Sequence, residues 1–239
     1  MRLPELEIKN LRVESENLYG LQILHLSDLH INKKTKVEEI EKLVNFCNDL
    51  EYDFLALTGD IIDCKPNKII PQLEALNLLK KVFYISGNHD LFYGIKNLNI
   101  LLSNFTFLDN KTAFIRYQNK DIALAGISDR FSKYFKIKRE EKKVFDFLKN
   151  NKDSILLAHQ PKDYSLAVNS NTKLFLCGHT HGGQIFPFHY FVRLFQPFLA
   201  GVFYKKKTCI YVNKGLGTWG IDFRYKADSE ITLLKLINN

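Results

Sequence analysis

Leu174-Phe175-Leu176-Cys177-Gly178-His179-Thr180-His181-Gly182-Gly183-Gln184 couples an apolar run of strand length to a glycine and two imidazoles one residue apart. Strand, glycine, then polar side chains is how the edge of a buried sheet offers ligands to an ion. In an extended segment, positions 179 and 181 face the same way, so both rings are expected to converge on one place. A histidine pair alone also fits an ordinary surface loop, and the rest of the chain decides between the two.

The same arrangement recurs upstream. Leu21–Ser27 reads as a strand and ends in Asp28-Leu29-His30. Asp53–Thr58 opens into Gly59-Asp60-Ile61-Ile62-Asp63, and Lys81–Ser86 runs into Gly87-Asn88-His89-Asp90. Ser154–Ala158 delivers His159. Helices are expected at Val37–Leu50, from the spacing of Val37, Ile40, Leu43, Val44 and Cys47, and at roughly 70–80. A charged helix is expected at 138–150, and short strands at 105–108, 113–117, 122–127, 208–213 and 230–237, with a hairpin turn over 118–121. Residues 5–14 read as an edge strand with a slip of phase near Asn10. Apolar strands separated by helices indicate a layered α/β fold with a buried sheet, in which ligands bind at the carboxyl ends of strands. Every polar motif sits at such an end.

The chain has 239 residues, 46% hydrophobic and 25% charged, without a linker or repeat, so one domain over 1–239 is expected. Its 34 basic and 26 acidic residues give a net charge of +8, spread rather than clustered. That balance admits a nucleic acid, an anionic membrane or a phosphorylated substrate. No basic stripe marks one helix, so no specific nucleic-acid partner is expected. Cys47, Cys64, Cys177 and Cys209 have neither metal-knuckle nor redox spacing and suit a reducing compartment. Neither a signal core nor a membrane span is read, which makes the expected location cytoplasmic.

Asp28, His30, Asp60, Asn88, His159, His179 and His181 form a set of oxygen and nitrogen donors that suits Mn, Fe, Zn or a similar divalent ion. Seven donors exceed one tetrahedral ion and suit two ions about 3.5–4 Å apart sharing a carboxylate. Five of the seven histidines lie in these motifs; His25, within an apolar strand, reads as a core residue, and His189 is left open.

Asp28-x-His30, Gly59-Asp60-x-x-Asp63, Gly87-Asn88-His89-Asp90, His159 and Gly178-His179-x-His181 resemble, in order, the motifs of the calcineurin-like metallophosphoesterases. Gly182-Gly183-Gln184 and Gly215-Leu216-Gly217-Thr218 resemble a branch that holds bacterial phosphohydrolases and some hydrolases of the lipid A precursor UDP-2,3-diacylglucosamine. The resemblance implies a four-layer αββα sandwich of two mixed sheets flanked by helices. It implies two divalent ions, one held by Asp28, His30, Asp60 and His181, the other by Asn88, His159 and His179, with Asp60 shared. It implies that His89 acts on the leaving group without ligating, and that Asp63 and Asp90 orient the ligands and His89. The implied reaction is hydrolysis of a phosphodiester or pyrophosphate by a metal-activated hydroxide. A soluble nucleotide or nucleic-acid phosphodiesterase is the alternative. A fold-sharing binding module, like the retromer subunit, would need broken ligands, and none is broken.

Eight aromatics within Ile185–Tyr204, followed by Lys205-Lys206-Lys207, read as an insertion over about 185–207. Aromatics beside a basic cluster suit peripheral contact with an anionic inner membrane and a lipid-linked substrate. Packing against the domain body is the competing reading.

Overall fold

Consecutive apolar residues on a strand demand cover on both of its faces. Ile23-Leu24, Phe54-Leu55-Ala56-Leu57 and Leu174-Phe175-Leu176 receive that cover, and all are buried. The computed structural model describes residues 3–185, 187, 189–220 and 223–238. Twelve strands are described: β1 (Leu6–Arg12), β2 (Gln22–Leu26), β3 (Phe54–Thr58), β4 (Val82–Ile85), β5 (Thr106–Phe107), β6 (Lys111–Tyr117), β7 (Lys120–Gly126), β8 (Ser154–Leu157), β9 (Leu174–Cys177), β10 (Gly201–Lys205), β11 (Thr208–Val212) and β12 (Ile231–Ile237). They form two mixed six-stranded sheets, ordered β1-β12-β2-β3-β4-β5 and β10-β11-β9-β8-β7-β6. The helices are α1 (Val37–Asn48), α2 (Ile70–Leu76), α3 (Asn88–Tyr93), α4 (Ile95–Leu101), α5 (Glu141–Asn150), α6 (Tyr164–Asn169) and α7 (His189–Phe195).

Strand alternation sorts the side chains into three apolar layers. Ile23, Phe54, Ala56 and Ile85 of the first sheet meet Leu124, Ile155, Leu157, Leu174 and Leu176 of the second. Leu24, Leu55 and Leu57 point the other way, onto Ile40 and Leu43 of α1, Leu73 of α2 and Leu98 of α4. Leu156, Phe175 and Ile210 pack outward on Val144 and Leu148 of α5 and Ala167 of α6. The result is the expected αββα sandwich. Each such side chain contributes about 1.5–3 kcal/mol by leaving water.

Several local expectations change. β1 pairs with β12 in an unbroken parallel register from Leu6↔Ile231 to Arg12↔Ile237, so its phase irregularity is no bulge. Ile8 is instead left 55% exposed. The β6–β7 turn is tighter than 118–121: pairing resumes at Lys120, and Gln118 and Asn119 both take positive φ. α2 stops at Leu76, and the Asn77 side chain beyond it accepts a hydrogen bond from the Asn104 backbone N–H at 3.0 Å.

Asp109, after β5, accepts hydrogen bonds from the Ser86 backbone N–H at 2.8 Å and from the Ser86 hydroxyl. Burial pushes its carboxyl up to about 6, helped by the charge of Asp129. The unfolded carboxyl titrates near about 3.9. The folded state therefore holds the proton more tightly, and stability falls as pH rises from about 4 to about 6. Asp109→Asn should remove that loss. Allowing for solvent at this half-buried group, the gain above pH 6 is about 1–2 kcal/mol, or roughly 2–8 °C in Tm. Melting curves at pH 8 and pH 4 check it: the stabilisation should appear at the first and vanish at the second.

Candidate metal centre

The carboxyl ends of β2, β3, β4, β8 and β9 meet along one edge of the sandwich, and each delivers a motif residue there. The loops after β2 and β3 continue to pair beyond their strands, with Asp28 N donating to Gly59 O at 2.9 Å and His30 N to Asp60 O at 3.0 Å. Asp28, His30, Asp60, His179 and His181 all take left-handed backbone, with φ between 47° and 73°. That conformation costs an L-residue roughly 1–2 kcal/mol. Five such residues gathered at one edge mark a place where the fold holds strained geometry. The motif glycines permit the close approach. A Cβ at Gly87 would lie 2.1 Å from Asp60 Oδ1, and one at Gly178 would lie 1.9 Å from Ser27 Oγ.

The seven candidate donors divide into two adjoining groups. In one, His30 Nε2 lies 3.1 Å from His181 Nε2, which lies 3.4 Å from Asp28 Oδ1. In the other, His159 Nε2 lies 3.1 Å from His179 Nδ1, 3.2 Å from Asn88 Oδ1 and 3.3 Å from Asp60 Oδ2. Asp60 Oδ2 also comes within 3.8 Å of His30 Nε2, so one carboxylate faces both groups. His179 and His181 therefore serve different groups, contrary to the single meeting point expected of an extended pair. The reason is local: Thr180 is helical in φ and ψ between two left-handed residues, so the segment is not extended.

These residues fit divalent metal ions. Donors about 2.1 Å from one ion, at tetrahedral or octahedral angles, stand roughly 3.0–3.4 Å apart. Imidazole nitrogens at 3.1 Å have that separation. Asp28 Oδ2 accepts from the Ser27 hydroxyl and from His179 N at 3.0 Å, whereas its buried Oδ1 has no hydrogen-bond donor. A buried carboxylate oxygen without a donor is costly, and a cation is the partner it lacks. Burial pushes His30 and His179 down to about 4 and His181 to about 3, so all three are neutral near pH 7 and open to coordination. Burial opposes the ionised form of Asp60, yet His159, His30 and His89 hold its carboxyl well below the usual range. His159 Nδ1 donates to Thr58 O at 2.7 Å, which turns Nε2 toward the centre.

His89 stands beside the centre at the start of α3, its ring edge-on to His30 at 4.7 Å between centroids. Asp63 holds its Nδ1 at 2.7 Å, and its backbone N–H donates to Asp60 Oδ1 at 2.8 Å. Asp90, expected with Asp63 to orient the ligands and His89, bonds to the loops that carry the ligands. Its fully buried carboxylate accepts from Ile61 N, Ile62 N and Gly87 N at 2.8, 3.1 and 2.9 Å, tying together the loops that carry Asp60 and Asn88. Burial and the charge of Asp60 push it up to about 7. His25 is a core residue, with Nε2 2.9 Å from Thr58 Oγ1.

Sequence reasoning passes over Arg224. Its guanidinium donates to the carbonyls of His181, Lys214, Gly215, Gly217 and Ala227 and lies 3.1 Å from His181 Nδ1. It thereby joins the His181 loop to Gly215–Gly217, whose backbone caps the β2 end through Leu216 N→Ser27 O and Gly217 N→Asp28 O.

Two cavities open from the centre. One of about 770 Å³ has Asp60, Asn88, His89, His179 and His181 at its base and Phe131, Ile185, Val192, Phe195 and Trp219 among its walls. The other, of about 630 Å³, adjoins His30 and Asp63 and is more polar, with Asn32, Lys34, Thr35, Thr218 and Arg224 in its lining. The 185–207 segment supplies part of the first. Tyr190 and Phe195 are exposed, whereas Phe198 is buried against Tyr164 and Phe203 and belongs to the core. Phe186 and Phe188, and the side chains of His189 and Phe191, lie outside the described residues. Lys205-Lys206-Lys207 form the β10–β11 turn. Because Val212 pairs with Cys177 and Cys209 with Leu174, that turn lies at the far end of the sheet from the centre, roughly 15 Å along the strands. Among the described residues no helix is long and apolar enough to cross a membrane.

The family model of the calcineurin-like phosphoesterases matches residues 21–183. A Helicobacter pylori metallophosphoesterase is 36% identical over 229 residues, covering 91% of this chain and 60% of its own length. A Danio rerio transmembrane protein with metallophosphoesterase domain is 31% identical over 236 residues, covering 92% of this chain and 54% of its own. The chain thus spans less than two thirds of these relatives. The solved NAD nucleotidase of Haemophilus influenzae shares the fold, with a TM-score of 0.56 at 15% identity over 82% of this chain and 45% of that one.

Proposed function

Because the chain belongs to the calcineurin-like phosphoesterase family, we propose that it is a two-metal phosphohydrolase that cleaves a phosphodiester or pyrophosphate bond in an amphiphilic substrate. The observation that carries the proposal is two adjoining groups of donors with the Asp60 carboxylate facing both, and Asp60, Asn88, His179 and His181 of these groups lining an apolar cavity. Asp28, His30 and His181 would hold one ion, Asn88, His159 and His179 the other, and Asp60 both. Bound there, two dications supply charge for the phosphoryl oxygens and bring water toward deprotonation near neutral pH. His89, kept in place by Asp63, would give a proton to the departing oxygen or stabilise the charge that builds on it. Asp90 would keep the Asp60 and Asn88 loops in register.

The two cavities support the substrate class. Apolar walls suit acyl chains, and the adjoining polar cavity suits a nucleotide-sugar or a similar head group. A UDP-2,3-diacylglucosamine-like lipid precursor has both parts. We read residues 185–207 as an insertion whose α7 selects the apolar part. The membrane setting named for the Danio rerio relative agrees with such a substrate. The wall rings Phe131 and Trp219 favour a second reading, a soluble nucleotide whose base stacks on them.

The test pairs Phe195→Ala with Trp219→Ala. Losing one ring contact of about 1.5–3 kcal/mol should lower kcat/KM for the acylated nucleotide-sugar by roughly 10–100-fold. Hydrolysis of bis-p-nitrophenyl phosphate should persist. Equal losses on both substrates would remove the amphiphile from the reading. A loss on a soluble nucleotide that matches the loss on the lipid would favour base stacking instead.

A further inference from the structure

Resting on that amphiphilic substrate, we propose that the mouth of the apolar cavity is a docking collar that seats the protein on an anionic bilayer surface. Three separate elements build the collar. Phe131 and Tyr134 come from the 3-10 helix at 130–135, Leu194 and Phe195 from α7, and Trp219 from the loop after Gly215. All five are between 44% and 77% exposed. Phe131, Phe195 and Trp219 are at the same time walls of the 770 Å³ cavity, which places all three elements at one mouth. Large apolar side chains gathered on a surface mark an interaction site, and aromatic rings suit the headgroup level of a membrane.

Charge names the occupant. Lys133, Lys136 and Arg193 are exposed on the same elements, with Lys133 Nζ 4.8 Å from the Tyr134 ring centroid. Asp228 is an exposed acid near the third element, and the net charge is +8. Basic residues among aromatics complement anionic headgroups. A rigid protein partner seated on this ring would seal the cavity. A bilayer would extend the apolar path and hold the substrate. The collar also differs from the basic cluster expected at Lys205–Lys207, which lies at the other end of β10 and β11.

Co-sedimentation of the full chain with vesicles tests the surface without relying on catalysis. The protein should bind vesicles of phosphatidylglycerol and phosphatidylcholine better than pure phosphatidylcholine, and less in high salt. The variant Lys133→Gln, Tyr134→Ser, Arg193→Gln, Leu194→Ser changes no residue assigned to either cavity, so its bis-p-nitrophenyl phosphate hydrolysis should match the parent. With two apolar contacts and two cations gone, its vesicle affinity should fall at least about tenfold. Lys205→Gln, Lys206→Gln, Lys207→Gln should bind vesicles like the parent. The proposal is overturned if the parent ignores anionic vesicles, if the collar variant binds as well as the parent, or if only the lysine-turn variant loses binding. Light scattering that shows a dimer split by the collar variant would also overturn it, by assigning the surface to a second copy. Vesicle binding that persists while no acylated phosphoester is turned over would refute the substrate proposal and leave the collar standing.

Discussion

Asp60→Asn is expected to abolish hydrolysis while leaving the fold in place. Asp60 Oδ2 faces His159 Nε2 at 3.3 Å and His30 Nε2 at 3.8 Å, so it is the one carboxylate directed at both donor groups. Asn keeps the shape and offers a neutral carbonyl oxygen. Its Oδ1 can still accept the His89 backbone N–H that Asp60 accepts at 2.8 Å, so the start of α3 keeps its anchor. What would disappear is the negative charge that the two proposed dications would share. Metal binding supplies several kcal/mol of transition-state stabilisation; several kcal/mol corresponds to about 1,000-fold or more in rate. Metal analysis of the purified variant should give fewer than two ions per chain. The parent should gain stability with saturating Mn²⁺, roughly 4 kcal/mol at 1,000 times Kd, and the variant much less. Two retained ions with a normal rate would rule out a shared-carboxylate centre.

The parts of this site that can be read from sequence are those whose geometry is local. Asp28, Asp60, Asn88, His159 and His179 each follow an apolar strand by a few residues, and strand polarity in a layered α/β fold sends all of them to one edge. What spacing cannot convey is the backbone conformation past the strand. His179 and His181 look like neighbours on one face, and a pair of left-handed residues sends them to different donor groups. Arg224 is unreadable for another reason: its partners are mostly backbone carbonyls, which every residue possesses. The three amides that Asp90 bonds are unreadable for the same reason, since every residue but proline carries one. The aromatic segment mixes core and surface because helix and hairpin periodicities succeed one another within twenty residues, burying Phe198 and exposing Phe195. β10 runs away from the centre from Gly201 onward, which carries Lys205–Lys207 away from Phe195 and the other cavity rings. α3 is masked because its first turn is the motif Asn88-His89-Asp90 itself.

His89→Asn is expected to retain metal and lose rate. His89 lies within reach of His30 and Asp63, but its imidazole is taken up on one side by Asp63, with Nδ1 to Oδ1 at 2.7 Å. Nδ1 donates to that carboxylate, which leaves Nε2 to face the cavity that the side chain lines. Metal content should therefore stay at the parent level, while kcat falls by about 10²–10⁴, the usual contribution of a proton-transferring group. The size of the loss should depend on the leaving group. An alkoxide needs a proton as the bond to phosphorus breaks, whereas p-nitrophenolate departs unaided. The loss should thus be large for an alkyl phosphodiester and small for bis-p-nitrophenyl phosphate. Asp63→Asn keeps the imidazole but weakens its anchor, so it should give the same ordering with smaller losses. Equal losses across leaving groups would assign His89 to positioning the phosphoryl group, and loss of an ion from His89→Asn would make it a ligand.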